Sequence, residues 1–308
     1  MSDVGTILDA AREWRGAPMA LATVISTWGS APRPRGSHML VHADGRMAGS
    51  VSGGCIEGDV LALAAEVIAG APAERRTYGV SDGMAWEVGL PCGGTIEVLV
   101  QPVAERGFPE AVFAAIEEGR AAGRAVTVAT DLDAGTSRLA EPGAAEGFVN
   151  LYAPPRRLFI VGAVQIAQAL AEIAQTLDLR PVVIDPRGRF LTEERFPGVD
   201  LDDRWPDEAL AARGLDPASA VITLSHDPKI DDPALIAALR GGAGYVAALG
   251  SRRSHAVRRE RLLAEGIAPE QFDRIEGPAG LAIGAFGAAE IALSIAAGMV
   301  KALRSEGA

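Results

Sequence analysis

Two cysteines, each set against a glycine pair, are the residues of this chain best suited to chemistry. Cys55 stands in Ser52-Gly53-Gly54-Cys55-Ile56-Glu57 and Cys92 in Pro91-Cys92-Gly93-Gly94-Thr95, and the 308 residues hold no other cysteine. Glycine beside a thiol removes side-chain bulk, so a large ligand can approach both the sulfur and the backbone N–H groups. Apolar periodicity from Glu57 onward predicts a helix that starts there, with Cys55 at its N-terminal end. In that position the macrodipole and unpaired N–H groups favour a thiolate and attract anions. The competing reading of Cys55 is a small buried hydrophobe, since free cysteine is often fully buried. Cys92 follows a proline and precedes a strand-like run; it sits at a strand mouth, or in a tight turn where the cysteine is incidental. No CxxC spacing occurs. With only four histidines (His38, His42, His226 and His255), a structural zinc site is short of ligands.

A second group of residues points to anions. Gly29-Ser30-Ala31-Pro32-Arg33-Pro34-Arg35-Gly36 sets Arg33 and Arg35 on a proline-stiffened loop, and a guanidinium fork suits phosphate or carboxylate oxygens. Solvated surface arginines are the plainer reading. Further on, Leu158-Phe159-Ile160-Val161-Gly162-Ala163-Val164-Gln165 carries a strand through a glycine turn into a helix. Asp185 ends the next strand at about the 20-residue offset of an acidic residue that holds a ribose hydroxyl. Gly162 and Asp185 are therefore candidate nucleotide contacts. Val164, however, replaces the glycine that admits a pyrophosphate, which speaks against NAD(P). Ser225-His226-Asp227 and Gly250-Ser251-Arg252-Arg253 both follow strand-like runs, and the carboxyl ends of parallel strands line a ligand crevice. His226 is thus a candidate ligand contact, or one member of a capped acidic loop.

These residues need two kinds of architecture to position them. The N-terminal half reads as α+β. It has a helix over 6–16, a strand over 19–27, a hairpin of 38–42 and 46–51 about Asp44-Gly45, and a helix over 57–69. A strand over 95–103, a helix over 108–122 and two or three strands within 124–152 follow. Beyond Ala153-Pro154-Pro155-Arg156 strand and helix alternate, with strands over 157–161, 181–185, 220–224 and 245–249. Helices are expected over 165–177, 233–239, 251–265 and 288–303. The fold class is therefore α/β: an N-terminal α+β domain over 1–152, then a C-terminal Rossmann-like doubly wound parallel sheet over 153–308. A length of 308 with 48% hydrophobic and 22% charged residues suits two globular domains. A net charge of −11 argues against nucleic acid as a partner. The N-terminus lacks a basic segment followed by an apolar core, and no apolar run reaches the ~18 residues of a membrane span. The expectation is a cytoplasmic protein with no membrane partner, whose thiols stay free in a reducing compartment.

Taken in order, GSAPRPRGSHML, SVSGGCIEGDV, AWEVGLPCGGTIEVLV, VVIDPR, SHDPKIDDPAL, ALGSRRSHAVRRERL and AEIALSIAA resemble the XdhC/CoxI family over nearly the whole chain. The resemblance implies a maturation factor that binds the molybdenum cofactor (molybdopterin). Such a factor protects the cofactor, presents it for sulfuration by a cysteine desulfurase and delivers it to a xanthine dehydrogenase-type apo-enzyme. It also implies a homodimer, and a carrier in place of an enzyme. In that setting Cys55 or Cys92 contacts the metal or its sulfur. Gly53, Gly54, Gly93 and Gly94 provide room and backbone donors, with Glu57 beside them, and Arg33 and Arg35 hold phosphate. The chain departs from the family pattern at Val164, and at Ala282 and Phe286, where relatives commonly carry an acidic and a basic residue. Two rival readings stand beside this one: an NAD(P)-dependent oxidoreductase using the C-terminal domain, and a scaffold joining desulfurase to client without holding cofactor.

Overall fold

The computed structural model describes residues 4–79, 94–141, 143 and 147–305. The chain divides into two compact units, Met1–Pro154 and Pro155–Ala308.

The first unit is built on β1 (Met19–Trp28), whose run MALATVI is buried on both faces. It centres an antiparallel sheet of order β3-β2-β1-β5-β4, with β2 His38–His42, β3 Met47–Gly49, β4 Glu74–Tyr78 and β5 Thr95–Pro102. A strand apolar on both faces needs cover on both. The helix α2 (Glu57–Ile68) supplies one layer, setting Val60, Leu63, Ala64 and Val67 in a core with Ala20, Ala22 and Val24. The other layer comes from α1 (Val4–Glu13) and α3 (Glu110–Ala121), which share a core with Leu21 and Leu40. A separate sheet of order β7-β6-β8 holds β6 (Val126–Asp131), β7 (Thr136–Ala140) and β8 (Phe148–Tyr152). Buried His38 joins the two sheets. Its Nδ1 lies 2.9 Å from Thr23 Oγ1 on β1, and its Nε2 lies 2.8 Å from the Tyr152 hydroxyl on β8. Burial pushes the His38 pKa down to about 4, so this bridge is made by a neutral imidazole.

The second unit is the expected doubly wound sheet. Six parallel strands run in the order β11-β10-β9-β12-β13-β14. They are β9 (Arg157–Val161), β10 (Arg180–Ile184), β11 (Asp200–Asp202), β12 (Ala220–Thr223), β13 (Tyr245–Ala248) and β14 (Ile275–Glu276). One face is covered by α4 (Gln165–Thr176) and α9 (Ala288–Ser305). The other is covered by α5 (Pro206–Arg213), α6 (Pro228–Arg240), α7 (Arg252–Ala264) and the short α8 (Pro269–Phe272). Chain order reverses between β9 and β12, which opens the crevice where such sheets take ligands. The helix α6 starts at Pro228, ahead of the expected Pro233. Asp227 caps it by accepting from Lys229 N at 3.0 Å, and Pro228 occupies the first turn, where its missing N–H costs nothing. Among the described residues no helix is long and apolar enough to cross a membrane.

Candidate functional site

The glycine–cysteine segment forms a loop over residues 50–56, between β3 and α2. Gly53 and Gly54 run at φ +78° and +120°, left-handed backbone that only glycine adopts freely, and the chain reverses tightly there. Its amides turn inward. Ser52 N donates to Glu57 Oε1 at 2.9 Å and Gly54 N to Oε2 at 2.8 Å. Gly53 N donates to Ser50 Oγ at 2.8 Å, and Cys55 N and Ile56 N donate to Ser52 Oγ at 3.0 and 3.1 Å. The hydroxyls close the network: Ser50 Oγ donates to Glu57 Oε1 at 2.6 Å and Ser52 Oγ to Oε2. Burial pushes the Glu57 pKa up, but the two serine hydroxyls and the amides outweigh it and hold it at about 2.

This network revises two expectations. Glu57, expected among the ligand contacts, is only 6% exposed and spends both oxygens on the loop; it is a positioning residue. Gly53 and Gly54, expected to offer backbone donors, have their amides already bonded within the loop and offer room alone. The amides just ahead of α2 are thus engaged by the protein's own carboxylate. What the loop presents outward is Cys55, which is exposed. Ser50 and Ser52 were not singled out in the sequence. The familiar capping signal spaces serine three residues before glutamate, and here the glutamate opens the helix and reaches back.

The proline–arginine loop lies against this one. Arg33 is half-buried and its Nε donates to Ser50 O at 3.2 Å. Pro32 Cβ is 4.0 Å from where a Cβ on Gly53 would stand. Gly94 packs on the root of the same loop; a Cβ there would fall 2.6 Å from Ser30 O and 2.8 Å from Trp28 O. Arg33, Gly53 and Gly94 are thus gathered around residues 28–33, with Gly54 and Cys55 following Gly53 along the chain. Arg35 is not: it is exposed, and its guanidinium stacks 4.3 Å from the centroid of Phe148 on β8. Cys92 and Gly93 lie outside the described residues. Trp28, at the loop's root, is 74% exposed. Among the described residues no group of three or more His, Cys, Asp or Glu side chains is arranged to hold a metal ion.

In the second unit the nucleotide expectation fails on geometry. Asp185 is fully buried and both of its oxygens are engaged within the unit. Its Oδ2 accepts from Ala163 N at 2.7 Å and Arg187 Nη2 at 2.8 Å, and its Oδ1 from Arg187 N and Nε, both at 2.9 Å. Burial raises the Asp185 pKa, but the Arg187 guanidinium and the two amides prevail and lower it. Gly162, at φ +105°, is needed for packing: a Cβ there would stand 2.8 Å from Ser225 N. With Asp185 consumed and Val164 in the turn, the residues present do not fit NAD(P). His226 does reach the crevice. It is exposed, holds φ +60°, and lines a cavity of about 300 Å³ with Arg253, Ser254 and Arg258.

Known proteins resemble the chain along nearly its full length. Residues 158–299 match the family described as XdhC Rossmann domain, and residues 14–79 match the XdhC and CoxI family. The molybdenum cofactor insertion chaperone PaoD of Escherichia coli is 31% identical over 284 residues, covering 92% of this chain and 82% of that protein. A Bacillus subtilis protein named as a probable xanthine dehydrogenase subunit is 28% identical over 333 residues, 98% of each chain. The crystal structure of a xanthine dehydrogenase from Bacillus halodurans matches with a TM-score of 0.82 and 28% identity, covering 99% of this chain and 96% of that one.

Proposed function

This chain belongs to the XdhC and CoxI family, and from that premise we propose that it is a molybdenum cofactor insertion chaperone for a xanthine dehydrogenase-type enzyme. The cofactor is its cargo, a pterin bearing a phosphate and a dithiolene-bound molybdenum. The observation that carries the reading is the loop over residues 50–56. Its amides and its carboxylate are satisfied internally, so Cys55 is the chemistry it turns outward. A thiolate is a soft donor suited to a metal–sulfur centre. Gly53 and Gly54 leave room for the pterin to approach, and Arg33 brings a cation to the rim for its phosphate. Cys92 with Gly93 and Gly94 supplies the second thiol. In this reading the protein turns over nothing itself. It shields the cofactor, presents it to a cysteine desulfurase and hands it to the apo-enzyme, working as a cytoplasmic homodimer.

The test is retention of cargo. Purified protein is mixed anaerobically with the cofactor and desalted, and molybdenum and pterin are measured in the protein fraction. Wild type is expected to retain cofactor stoichiometrically, and Cys55→Ala to lose most of it. Equal retention by wild type and the Cys55→Ala, Cys92→Ala double variant overturns the assignment.

A further inference from the structure

The crevice of the parallel sheet has two halves, and the side chains treat them differently. On the β9–β10 side, the Asp185–Arg187 pair fills the place beside the Gly162 turn. On the β12–β13 side, a cavity of about 300 Å³ stays open between the loop after β12 and the start of α7. That volume is at the small end of ligand sites. Its polar lining is His226, Asp231, Arg253, Ser254, Arg258 and Arg261.

Charge is unbalanced in this cavity. Arg261 is satisfied, with Nε and Nη2 on the two oxygens of Asp232 at 2.6 and 3.0 Å. Asp231 is 2% exposed and accepts from Ser225 Oγ at 2.7 Å. Arg258 is only 5% exposed, and its counter-charge is a loose ion pair, Nη2 3.9 Å from Asp231 Oδ2, too long for a hydrogen bond. The guanidinium donates from Nη2 to Leu249 O at 3.0 Å and has Nη1 3.5 Å from His255 Nδ1, while Nε has no partner. Burying a cation without a hydrogen-bonded counter-charge is costly, and an anion in the cavity would offset that cost. The surroundings favour one. Arg253 adds a second cation at the mouth. The first turn of the 13-residue α7 lines the same opening; Ser251 caps it by accepting from Ser254 N, and the Ser254 hydroxyl, 2.9 Å from Ser251 Oγ, keeps capacity for a further partner. His226 is held at φ +60°, a conformation disfavoured for a residue with a side chain, at the cavity's rim.

We propose that this cavity is a phosphomonoester site, in which Arg258, Arg253, His226 and Ser254 receive the terminal phosphate of a small organic molecule. It lies in the second unit and is independent of the thiol loop, so it stands or falls apart from the cofactor reading.

The experiment is isothermal titration of the full-length protein in buffer free of phosphate and sulfate. The probes are inorganic phosphate, inorganic sulfate, AMP and adenosine. AMP is expected to saturate a single site, phosphate to compete for it more weakly, and adenosine not to bind. Arg253→Ser and His226→Gly are each expected to weaken AMP binding by about tenfold, the loss of one charge-assisted hydrogen bond. His226→Gly also places at φ +60° the residue that adopts it freely, so a misfolded variant is not the cause of its weaker binding. Arg258→Met is expected to abolish binding. Three results each overturn the proposal: no saturable binding of AMP or phosphate up to about 10 mM, AMP binding unchanged in Arg253→Ser and His226→Gly, or sulfate binding as tightly as AMP.

Discussion

Replacing Glu57 by glutamine tests whether the thiol loop is held by a buried charge. The carboxylate is 6% exposed and takes hydrogen bonds from the Ser50 and Ser52 hydroxyls and the Ser52 and Gly54 amides. The gap between its folded pKa of about 2 and the ordinary 4.5 is worth about 3 kcal/mol at neutral pH. Because the folded value is the lower one, this stability is present in full above pH 4.5 and is lost as pH falls toward 2. Glutamine mimics the protonated acid. Glu57→Gln is therefore expected to cost about 3 kcal/mol at pH 7, with the deficit narrowing to about 2 kcal/mol at pH 3.5. Urea unfolding of both proteins at the two pH values measures this. Amide hydrogen exchange at Ser52, Gly54 and Ile56 shows whether the loss is local to the loop, and those three are expected to lose protection first. A deficit under about 0.5 kcal/mol at pH 7, the size of an ordinary surface substitution, refutes the reasoning. So does a deficit that does not change with pH.

Further outcomes follow from the buried groups. Gly162→Ala puts a Cβ 2.8 Å from Ser225 N at φ +105°, and is expected to destabilise the protein by roughly 2–4 kcal/mol, read as a lowered urea midpoint. His38 is neutral in the fold, with its pKa lowered by burial from 6.5 to about 4. The unfolded chain therefore binds the extra proton, and stability contributed by His38 is complete above pH 6.5 and falls by up to about 3 kcal/mol as pH drops toward 4. His38→Gln is expected to flatten stability over that interval, as followed by urea midpoints from pH 7 to 4. Calorimetric titration of the wild type with NADH is expected to show no saturable binding up to about 1 mM, since Asp185 has no free oxygen for a ribose.

Elements carried by apolar pattern alone were readable in the sequence, and those carried by polar partners were not. The strands β1, β9, β12 and β13 are apolar runs, and the order of strand and helix after Pro155 already implied the parallel sheet. The edge strand β4 escaped because Glu74, Arg75 and Arg76 break its alternation; their order comes from Asp59 and Glu97 on neighbouring elements. At the sites, residue type was visible and residue job was not. Glycine beside cysteine marks the loop, yet by type and place Glu57 and Asp185 both look free to reach for a ligand. Each instead closes a glycine turn near a helix start with its own charge, Glu57 at the head of α2 and Asp185 on Ala163 N before α4. The pattern around Asp185 shows Arg187 two residues on, yet it cannot show the second claimant, the Ala163 amide 22 residues back. The consequence reaches function. Loop amides just ahead of a helix are ordinary resting places of phosphates, and here two such sets, before α2 and before α4, are engaged by the protein's own carboxylates. In both proposed sites a phosphorylated ligand therefore relies chiefly on side-chain cations, Arg33 beside the thiol loop in one and Arg253 and Arg258 in the sheet's open half in the other.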